Sequence, residues 1–504
     1  MFLVLSAMFF GEKKGGVLLS YIQMVANVLV KFIYTPFLLR ALGQNEYGLY
    51  SLVMSIVGYL AVLELGFGST VTRYTVKYNT ENDRQSLYKL YGTLSVLYVC
   101  MGIAAFAICC TLSYFSPELF GATMTAEETS KLRLMMFLCG INLLFTFPLQ
   151  ISASVLVAYE RFIFKNGIHL IMTILQPVIL VLLLYLAHIK SVGAIVIVTL
   201  FNLLTYLAYY IYAVRKLEFK FSLKCFDPKM IRGLVSFSAW MFCVMLFEQL
   251  QYNSGQFIIG LFQGTEVIAI WGIAMIFILN YRSLSSAITN VFLPSYISNS
   301  FREDSKSIAE TTYKMTRLQA FVLFGILANF ILFGQVFIDM WAGPDYHQAF
   351  SAALIVMVPM TFALLLDFSY LIQIATNRLK YRIITLFSGF IVAFLIVFFA
   401  KGITLISYAY VMAGSILLGQ IICVVYYVTK HIEVDLGRLL KDISGILIPV
   451  SVLTGVAFFL LNRISINVLM LVLMVMAFNL LLGGCYWIIA TPEEKRLIRA
   501  NNKR

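Results

Sequence analysis

The chain has 504 residues, of which 61% are hydrophobic and only 12% are charged, and its formal net charge is +13. Soluble domains carry about a quarter charged residues, so this composition excludes a water-soluble fold and a domain count based on soluble lengths. It indicates an all-α integral membrane protein.

The first ten residues, MFLVLSAMFF, are apolar but too short to span a bilayer, and no basic residue precedes them. A secretory signal peptide begins with its positive charge. We therefore interpret this stretch as a misassigned start or an amphipathic extension, and we expect residues 1–15 to form a cytoplasmic lead.

A spanning helix needs roughly 20 predominantly apolar residues, and this rule gives fourteen segments. We predict spans at 16–39, 46–72, 87–115, 132–158, 167–188, 192–214, 233–262, 266–296, 314–341, 349–376, 383–400, 404–429, 445–462 and 465–489. The weakest of these divisions lies within 167–214.

The distribution of Lys and Arg predicts the orientation, because cytoplasmic loops carry an excess of both. With the N-terminus inside, 29 of the 37 fall in inner segments and 6 in outer segments, while Lys31 and Arg282 lie inside spans. Both termini are then cytoplasmic, and 491–504 is a basic cytoplasmic tail. The positive net charge is thus a topology signal, and we expect no nucleic-acid partner.

The chain contains a weak internal repeat at a shift of about 220 positions, which aligns LGQNEYGLYS at 42–51 with FQGTEVIAIW at 262–271. Together with the span count, the repeat predicts two six-helix lobes, 16–214 and 233–429, followed by two helices within 445–490. An even number of helices per lobe makes the repeat parallel, as in several transporter families.

No motif of a soluble catalytic site is present, since the chain has no GxxxxGK[ST], HExxH or GxSxG sequence. Its eight cysteines form no CxxC pair, and its four histidines have no ligand spacing. We therefore predict no catalytic residue, no metal and no cofactor. The loops are too short for a soluble catalytic domain, which leaves membrane-embedded chemistry as the only enzyme hypothesis.

Polar side chains inside the spans are the candidate functional residues, because a charge at the centre of a span costs roughly 2.5–3.5 kcal/mol on insertion scales. Lipid cannot satisfy such groups, so we predict a hydrated substrate cleft between the lobes, lined by helices 1, 2, 7 and 8. The cleft candidates are Lys31, Arg282, Glu248, Gln251, Asn253, Asn280 and Asn27. A Lys31–Glu248 pair that only holds two helices together is the alternative.

Three carboxylates within the spans, Glu64, Glu248 and Asp367, are candidates for carrying a coupling proton or Na⁺. Glu64 and Asp367 lie about two-thirds of the way to the cytoplasmic face. Pairing that pins neighbouring helices explains these two residues equally well.

The segment TPFLLRALGQNEYGLYSLVMSIVGYLAVLELGFGSTVTRY at 35–74 resembles the N-terminal signature of the polysaccharide-biosynthesis flippases. These are the O-antigen and capsule repeat-unit translocases of the multidrug/oligosaccharidyl-lipid/polysaccharide exporter superfamily. The matching features are Gly43, the Tyr47–Gly48 pair, Tyr50, the acidic residue before Gly66-x-Gly68, and Arg73 with Tyr74. The segments VLVAYERF at 155–162 and IQIATNRLKY at 372–381 are similar to that family's inner-loop segments.

The resemblance implies a two-lobed bundle of fourteen helices that moves an undecaprenyl-pyrophosphate-linked oligosaccharide across the bacterial cytoplasmic membrane by alternating access. The implied partners are this cargo, membrane lipids, a proton or Na⁺, and polysaccharide polymerase machinery. Relatives that flip lipid-linked peptidoglycan precursor carry cations in helices 1 and 8, the helices of Lys31 and Arg282. Glu248 departs from a purely cationic cavity.

Within this framework we interpret Gly66, Gly68 and Arg73 as a hinge at the inner gate, with the glycines loosening helix 2 and the arginine marking the inner headgroups. A multidrug cation antiporter of the same superfamily is the main alternative, and it predicts an acidic and aromatic cleft without a buried cation. A membrane-embedded polysaccharide polymerase or ligase is the other, and it needs a larger outer loop with Arg or His.

Overall fold

The computed structural model describes residues 2–64, 67–217, 219–220, 226–301, 305–375, 380–399, 402–431, 434–461, 467–492 and 495. These residues fold into long α-helices joined by short turns, and none of them lies in a β-strand. The predicted fold class, an all-α membrane protein, is confirmed.

The described helices follow one another with few intervening residues. In chain order they are α1 (Phe2–Leu42), α2 (Gln44–Ala61), α3 (Phe67–Thr80), α4 (Arg84–Phe120), α5 (Ala126–Ala158), α6 (Phe162–Leu186), α7 (Ser191–Lys216), α8 (Pro228–Phe262), α9 (Thr265–Phe301), α10 (Ser305–Trp341), α11 (Gln348–Leu365), α12 (Phe368–Ala375), α13 (Lys380–Phe399), α14 (Leu405–His431), α15 (Leu436–Leu461) and α16 (Val468–Ile489). Short 3₁₀ turns at Val62–Glu64 and Pro344–Tyr346 complete the set.

Within the described residues, 12 segments are long and apolar enough to cross a bilayer. They coincide with twelve of the fourteen predicted spans; the other two, 233–262 and 404–429, fall on α8 and α14. The weak division inside 167–214 is present in the structure, where α6 ends at Leu186 and α7 begins at Ser191. The total of fourteen spans and the orientation stay predictions.

The surface of the bundle is apolar along its helices. Phe398, Leu480 and Ile488 are 70%, 77% and 80% exposed. Such a surface is unstable in water and stable against lipid hydrocarbon. The chain is therefore a multi-pass membrane protein.

The chain divides into two compact units, Met1–Ala269 and Ile270–Arg504. In the first unit α1 packs on α6, α5 packs on α4 and α7, and α8 packs on α2. In the second unit α10 packs on α15, while α14 packs on both α11 and α13. The lobes predicted at 16–214 and 233–429, with two more helices at 445–490, stay predictions.

Two glycines with positive φ lie at connections between helices of the first unit. Gly43, with φ 77°, separates α1 from α2, and Gly264, with φ 88°, precedes α9. A residue with a Cβ is strained in this left-handed region, which glycine enters freely. At the shift of 220 positions proposed from the sequence, Gly264 lies one residue after the position that aligns with Gly43.

The second predicted span is interrupted. α2 ends at Ala61, a 3₁₀ turn covers Val62–Glu64, and α3 begins at Phe67. Residues 65 and 66 lie outside the described part, so the hinge predicted at Gly66 is not described. Glu64 therefore lies in a 3₁₀ turn after the end of α2, where the regular backbone hydrogen bonding of the α-helix has stopped.

Candidate functional site

A polar cavity of about 620 Å³ lies inside the first unit, where α1, α5, α6 and α7 surround the break after α2. Carboxylate, ammonium, imidazole, amide and hydroxyl groups share its walls. The residues that contribute these groups are Gln23, Glu64, Gln150, Ser154, Lys165, Asn166, His169, Thr173, Gln176, Asn202, Thr205, Tyr206 and Tyr209.

α6 contributes a polar stripe to the cavity. Lys165, His169, Thr173 and Gln176 are spaced by four, four and three residues and all line it. This spacing puts them on one face of an α-helix. A polar face on an otherwise apolar membrane helix is stable when it faces the interior of the bundle, and this face turns toward α5 and α7.

Glu64 is held at the cavity wall by two neutral donors. Gln150 of α5 donates from Nε2 to Oε2 at 2.5 Å, and the hydroxyl of Tyr98 of α4 lies 3.4 Å from Oε1. The ammonium of Lys165 lines the same cavity, so the site carries one negative and one positive group among neutral polar ones. Such a set can bind a proton, a cation, an anion or the hydroxyls of a sugar.

Gly68, a predicted hinge residue, lies against Glu64. A Cβ built on Gly68 would stand 3.1 Å from Oε1 of Glu64 and 3.1 Å from Oγ of Ser154. The structure thus brings Gly68 and Glu64 together. Because glycine has no side chain, the carboxylate of Glu64 can occupy the space beside it. Arg73, five residues further along α3, is exposed.

Polar contacts close the seam between α1 and α6 at the cavity end. Nε2 of Gln23 lies 2.9 Å from Nδ1 of His169, and Asn166 donates from Nδ2 to Oγ of Ser20 at 2.8 Å and to the carbonyl of Gly16 at 3.0 Å. The first span is thereby tied to the cavity through residues that the sequence prediction did not select.

Two predicted cleft residues on α1 stand apart from this cavity. Lys31 is exposed and Asn27 is half-buried, and the cavity lining includes neither. Gln23, about one turn before Asn27 and two turns before Lys31, is the residue of α1 that reaches the cavity.

The candidates on α8 lie within the first unit. Glu248 is half-buried, Gln251 is buried, and Asn253 donates a hydrogen bond from Nδ2 to Oε1 of Gln249. Gly58 of α2 approaches this stretch, since its Cβ would stand 3.5 Å from Nδ2 of Asn253. The amide-rich stretch of α8 therefore faces α2.

The remaining candidates lie in the second unit. Asn280 and Arg282 are half-buried on α9, and Asn280 donates to the carbonyl of Ile276 at 2.7 Å. Asp367 occupies the break between α11 and α12, where its carbonyl accepts from the amide of Tyr370 at 3.0 Å. The substrate cleft that combines these residues with Lys31 stays a prediction.

Sequence reasoning missed most of the cavity. Lys165 is one of the 29 basic residues that the charge count assigns to inner segments, and the four histidines, His169 among them, have no metal-ligand spacing. The signal that would have found them is the polar stripe of α6, read at helical spacing within an apolar span. Among the described residues, no three His, Cys, Asp or Glu side chains are grouped as metal ligands.

Comparisons with known proteins place this geometry in context. Residues 13–301 match a family model described as polysaccharide biosynthesis protein. A solved structure of the lipid II flippase MurJ, in an inward closed conformation, covers 94% of this chain and 98% of its own, with 15% identity and a TM-score of 0.69. No curated protein sequence is a significant match.

Two multidrug transporters have a similar fold. An inward-facing multidrug resistance MATE family transporter of the MOP superfamily covers 83% of this chain and 96% of its own, with 14% identity and a TM-score of 0.60. The MATE multidrug transporter DinF-BH covers 82% of this chain and 93% of its own, with 15% identity and a TM-score of 0.58. At these identities the likeness shows the fold alone.

Proposed function

The chain belongs to the polysaccharide biosynthesis protein family, and from this premise we propose that it is a flippase for lipid-linked oligosaccharide in the bacterial cytoplasmic membrane. The proposed cargo is an undecaprenyl-pyrophosphate-linked repeat unit of O-antigen, capsule or a similar surface polysaccharide. The chain moves it by alternating access and carries out no chemical reaction on it.

The mixed lining of the polar cavity is the observation that carries this proposal. Amides and hydroxyls from Gln150, Asn202 and Tyr206 offer donors and acceptors of the kind that sugar hydroxyls need. The ammonium of Lys165 supplies a point charge for a phosphate group. A hydrophobic drug would displace water from these half-buried polar groups without offering them hydrogen bonds, at a cost in binding free energy.

Ion coupling is the second part of the proposal, and it assigns Glu64 to a proton or Na⁺. Its carboxylate lies at a helix break beside neutral donors and in the same cavity as Lys165. Uptake of a proton or cation would neutralise the acid and change the electrostatic potential that acts on the ammonium. Glu248 and Asp367 remain further candidates, and polysaccharide polymerase machinery is the proposed protein partner.

A multidrug cation antiporter is the second candidate. The carboxylate of Glu64 together with Tyr206 and Tyr209 is a combination that suits an organic cation. A polymerase or ligase is less favoured, because connections that the sequence predicts to be outer, such as the single residue Gly43, leave no room for a catalytic loop.

Lipid mass spectrometry on cells depleted of the protein tests the proposal. We expect an undecaprenyl-pyrophosphate-linked oligosaccharide to accumulate and to disappear on re-expression, and its mass identifies the repeat unit. Normal lipid-linked glycan together with increased sensitivity to cationic dyes would support the antiporter and reject the flippase.

A further inference from the structure

A second hollow of the first unit, of about 510 Å³, is a lipid-facing groove between α1 and α6. Its volume is within the usual range of small-molecule sites, about 300–1,000 Å³. Apart from the hydroxyls of two tyrosines, its lining side chains are wholly hydrocarbon. The groove is lined by Val30, Ile33, Tyr34, Phe37, Ile174, Pro177, Val178, Val181, Leu182, Tyr185 and Leu186.

The groove and the polar cavity share the same two helices. On α6, Thr173 and Gln176 line the cavity, while their neighbours Ile174 and Pro177 line the groove. Successive residues of an α-helix point about 100° apart, so a single helix separates the polar hollow from the apolar one. A ligand with a polar head and an apolar tail could place its head in the polar cavity and its tail in the apolar groove.

The two hollows follow one another along the helices. On α1 the cavity begins at Gln23 and the groove covers 30–37; on α6 the cavity begins at Lys165 and the groove ends at Leu186. At 1.5 Å per residue, Lys165 and Leu186 are about 32 Å apart along the axis, close to the ~30 Å thickness of a hydrocarbon core.

This length favours one class of lipid. The acyl chains of a phospholipid end near the bilayer centre, at about half of the ~30 Å core. A chain anchored at the cavity end of α6 must pass the centre to fill the groove at the other end. A long polyprenyl chain does so, and its rigid, methyl-branched units suit a groove walled by branched and aromatic side chains.

We propose that the α1–α6 groove binds the polyprenyl tail of the lipid-linked cargo while the head group occupies the adjacent polar cavity. The inference rests on the proposed function and adds to it a tail site and a lateral contact with the membrane. The seam contacts Gln23–His169 and Ser20–Asn166 lie where head and tail would join.

Photolabelling of the full chain tests the groove directly. The protein is reconstituted in nanodiscs of phosphatidylethanolamine and phosphatidylglycerol with a polyprenyl diphosphate that carries a diazirine at the far end of its tail. We expect label within residues 30–37 and 174–186, and competition by unlabelled polyprenyl diphosphate but not by added phosphatidylglycerol. Label spread evenly over all lipid-facing helices would overturn the proposal and leave ordinary annular lipid.

A pair of identical substitutions supplies the control. Leu182 lines the groove and is 53% exposed, whereas Leu175 of the same helix is 42% exposed and does not line it. Leu182→Trp fills the groove and should reduce labelling at least fivefold; Leu175→Trp should leave labelling unchanged. Equal labelling of the two variants would contradict a specific tail site.

The same variants separate this proposal from the proposed function. In depleted cells that accumulate lipid-linked glycan, Leu175→Trp should clear it and Leu182→Trp should clear it slowly. If both clear it at the wild-type rate, the tail site is wrong and the flippase stands. If depletion causes no accumulation, the flippase proposal itself fails, whatever the labelling shows.

Discussion

Gln150 of α5 donates a hydrogen bond to the carboxylate of Glu64 across 2.5 Å, which ties α5 to the break between α2 and α3. The amide of Gln150 and the hydroxyl of Tyr98 thus orient the carboxylate, and Lys165 lines the same cavity. A proton on Oε2 would add an O–H donor there and weaken the bond that Gln150 donates, because a neutral acid is a poorer acceptor than a carboxylate. The contact gives the cavity two hydrogen-bonding states that differ by one proton.

Replacing Glu64 by Gln should abolish this difference. Gln has nearly the same size but cannot take up a proton or bind Na⁺ strongly, so we expect clearance of lipid-linked oligosaccharide in depleted cells to slow at least tenfold. Glu266→Gln is the control, because Glu266 is exposed and does not line the cavity. Wild-type clearance by Glu64→Gln would remove Glu64 from the coupling mechanism.

Substitution of Lys165 tests whether the cargo is anionic or cationic. Lys165→Met keeps the aliphatic stem and removes the charge, so it should weaken transport of a pyrophosphate-linked lipid at least tenfold, while Lys165→Arg should retain much of it. Lys216→Met, at the exposed end of α7, should have no effect. Increased dye efflux by Lys165→Met with normal glycan clearance would point to the antiporter instead.

Gly48 of α2 is a position where a methyl group has no space. A Cβ there would stand 2.0 Å from the carbonyl oxygen of Thr265 and 2.8 Å from its carbon, both backbone atoms that cannot turn away. Overpacking of this kind costs about 1–3 kcal/mol, so Gly48→Ala should lower the melting temperature in detergent. Gly483→Ala is the matched control, since nothing lies within 4 Å of its Cβ position, and it should melt as the wild type does.

A part-buried ion pair and its hydrogen bonds link α2, α5 and α7 in the first unit. Oε1 of Glu46 lies 2.5 Å from Nζ of Lys131, and Oε2 accepts from the backbone amide of Ser191 at 3.1 Å and from its hydroxyl. Removing one partner of a buried pair costs about 3–5 kcal/mol when the other is fully desolvated. Because the side chain of Lys131 is 23% exposed, we expect Glu46→Gln to lower the free energy of unfolding by only about 1–3 kcal/mol.

Denaturation in mixed micelles measures this loss, and the chain contains its own control. Lys131 also pairs with Glu127, whose side chain is 76% exposed. Exposed pairs contribute about 0–1 kcal/mol, so Glu127→Gln should change stability little. A double-mutant cycle with Lys131→Met should assign most of the coupling free energy to Glu46; an equal share for Glu127 would contradict the assignment.

The sequence predicts which residues are helical and apolar better than it predicts the direction in which a side chain points. Gln23, Asn27 and Lys31 repeat every four residues and look like one face. At 100° per residue each step of four drifts by about 40°, so Lys31 points about 80° away from Gln23. The structure accordingly has Gln23 in the cavity and Lys31 exposed.

The contacts between side chains of different helices are also hard to predict from the sequence. The irregularity in the second span lies next to the glycines of the sequence prediction, and Gly68 lies against the carboxylate of Glu64. The donors that hold Glu64 come from Tyr98 and Gln150, on other helices. Such partners follow from which helices pack together, and a single sequence carries no direct signal of that.

The one-residue connection at Gly43 limits how the first two spans can move. Consecutive Cα atoms are 3.8 Å apart, so the last residue of α1, Leu42, and the first of α2, Gln44, stay within about 7.6 Å in every conformation of the chain. The two helices can therefore separate only by pivoting about Gly43, so that their distance increases away from this connection. An opening between α1 and α2 is therefore narrowest at Gly43 and widens toward the part of α1 that holds the Gln23–His169 contact.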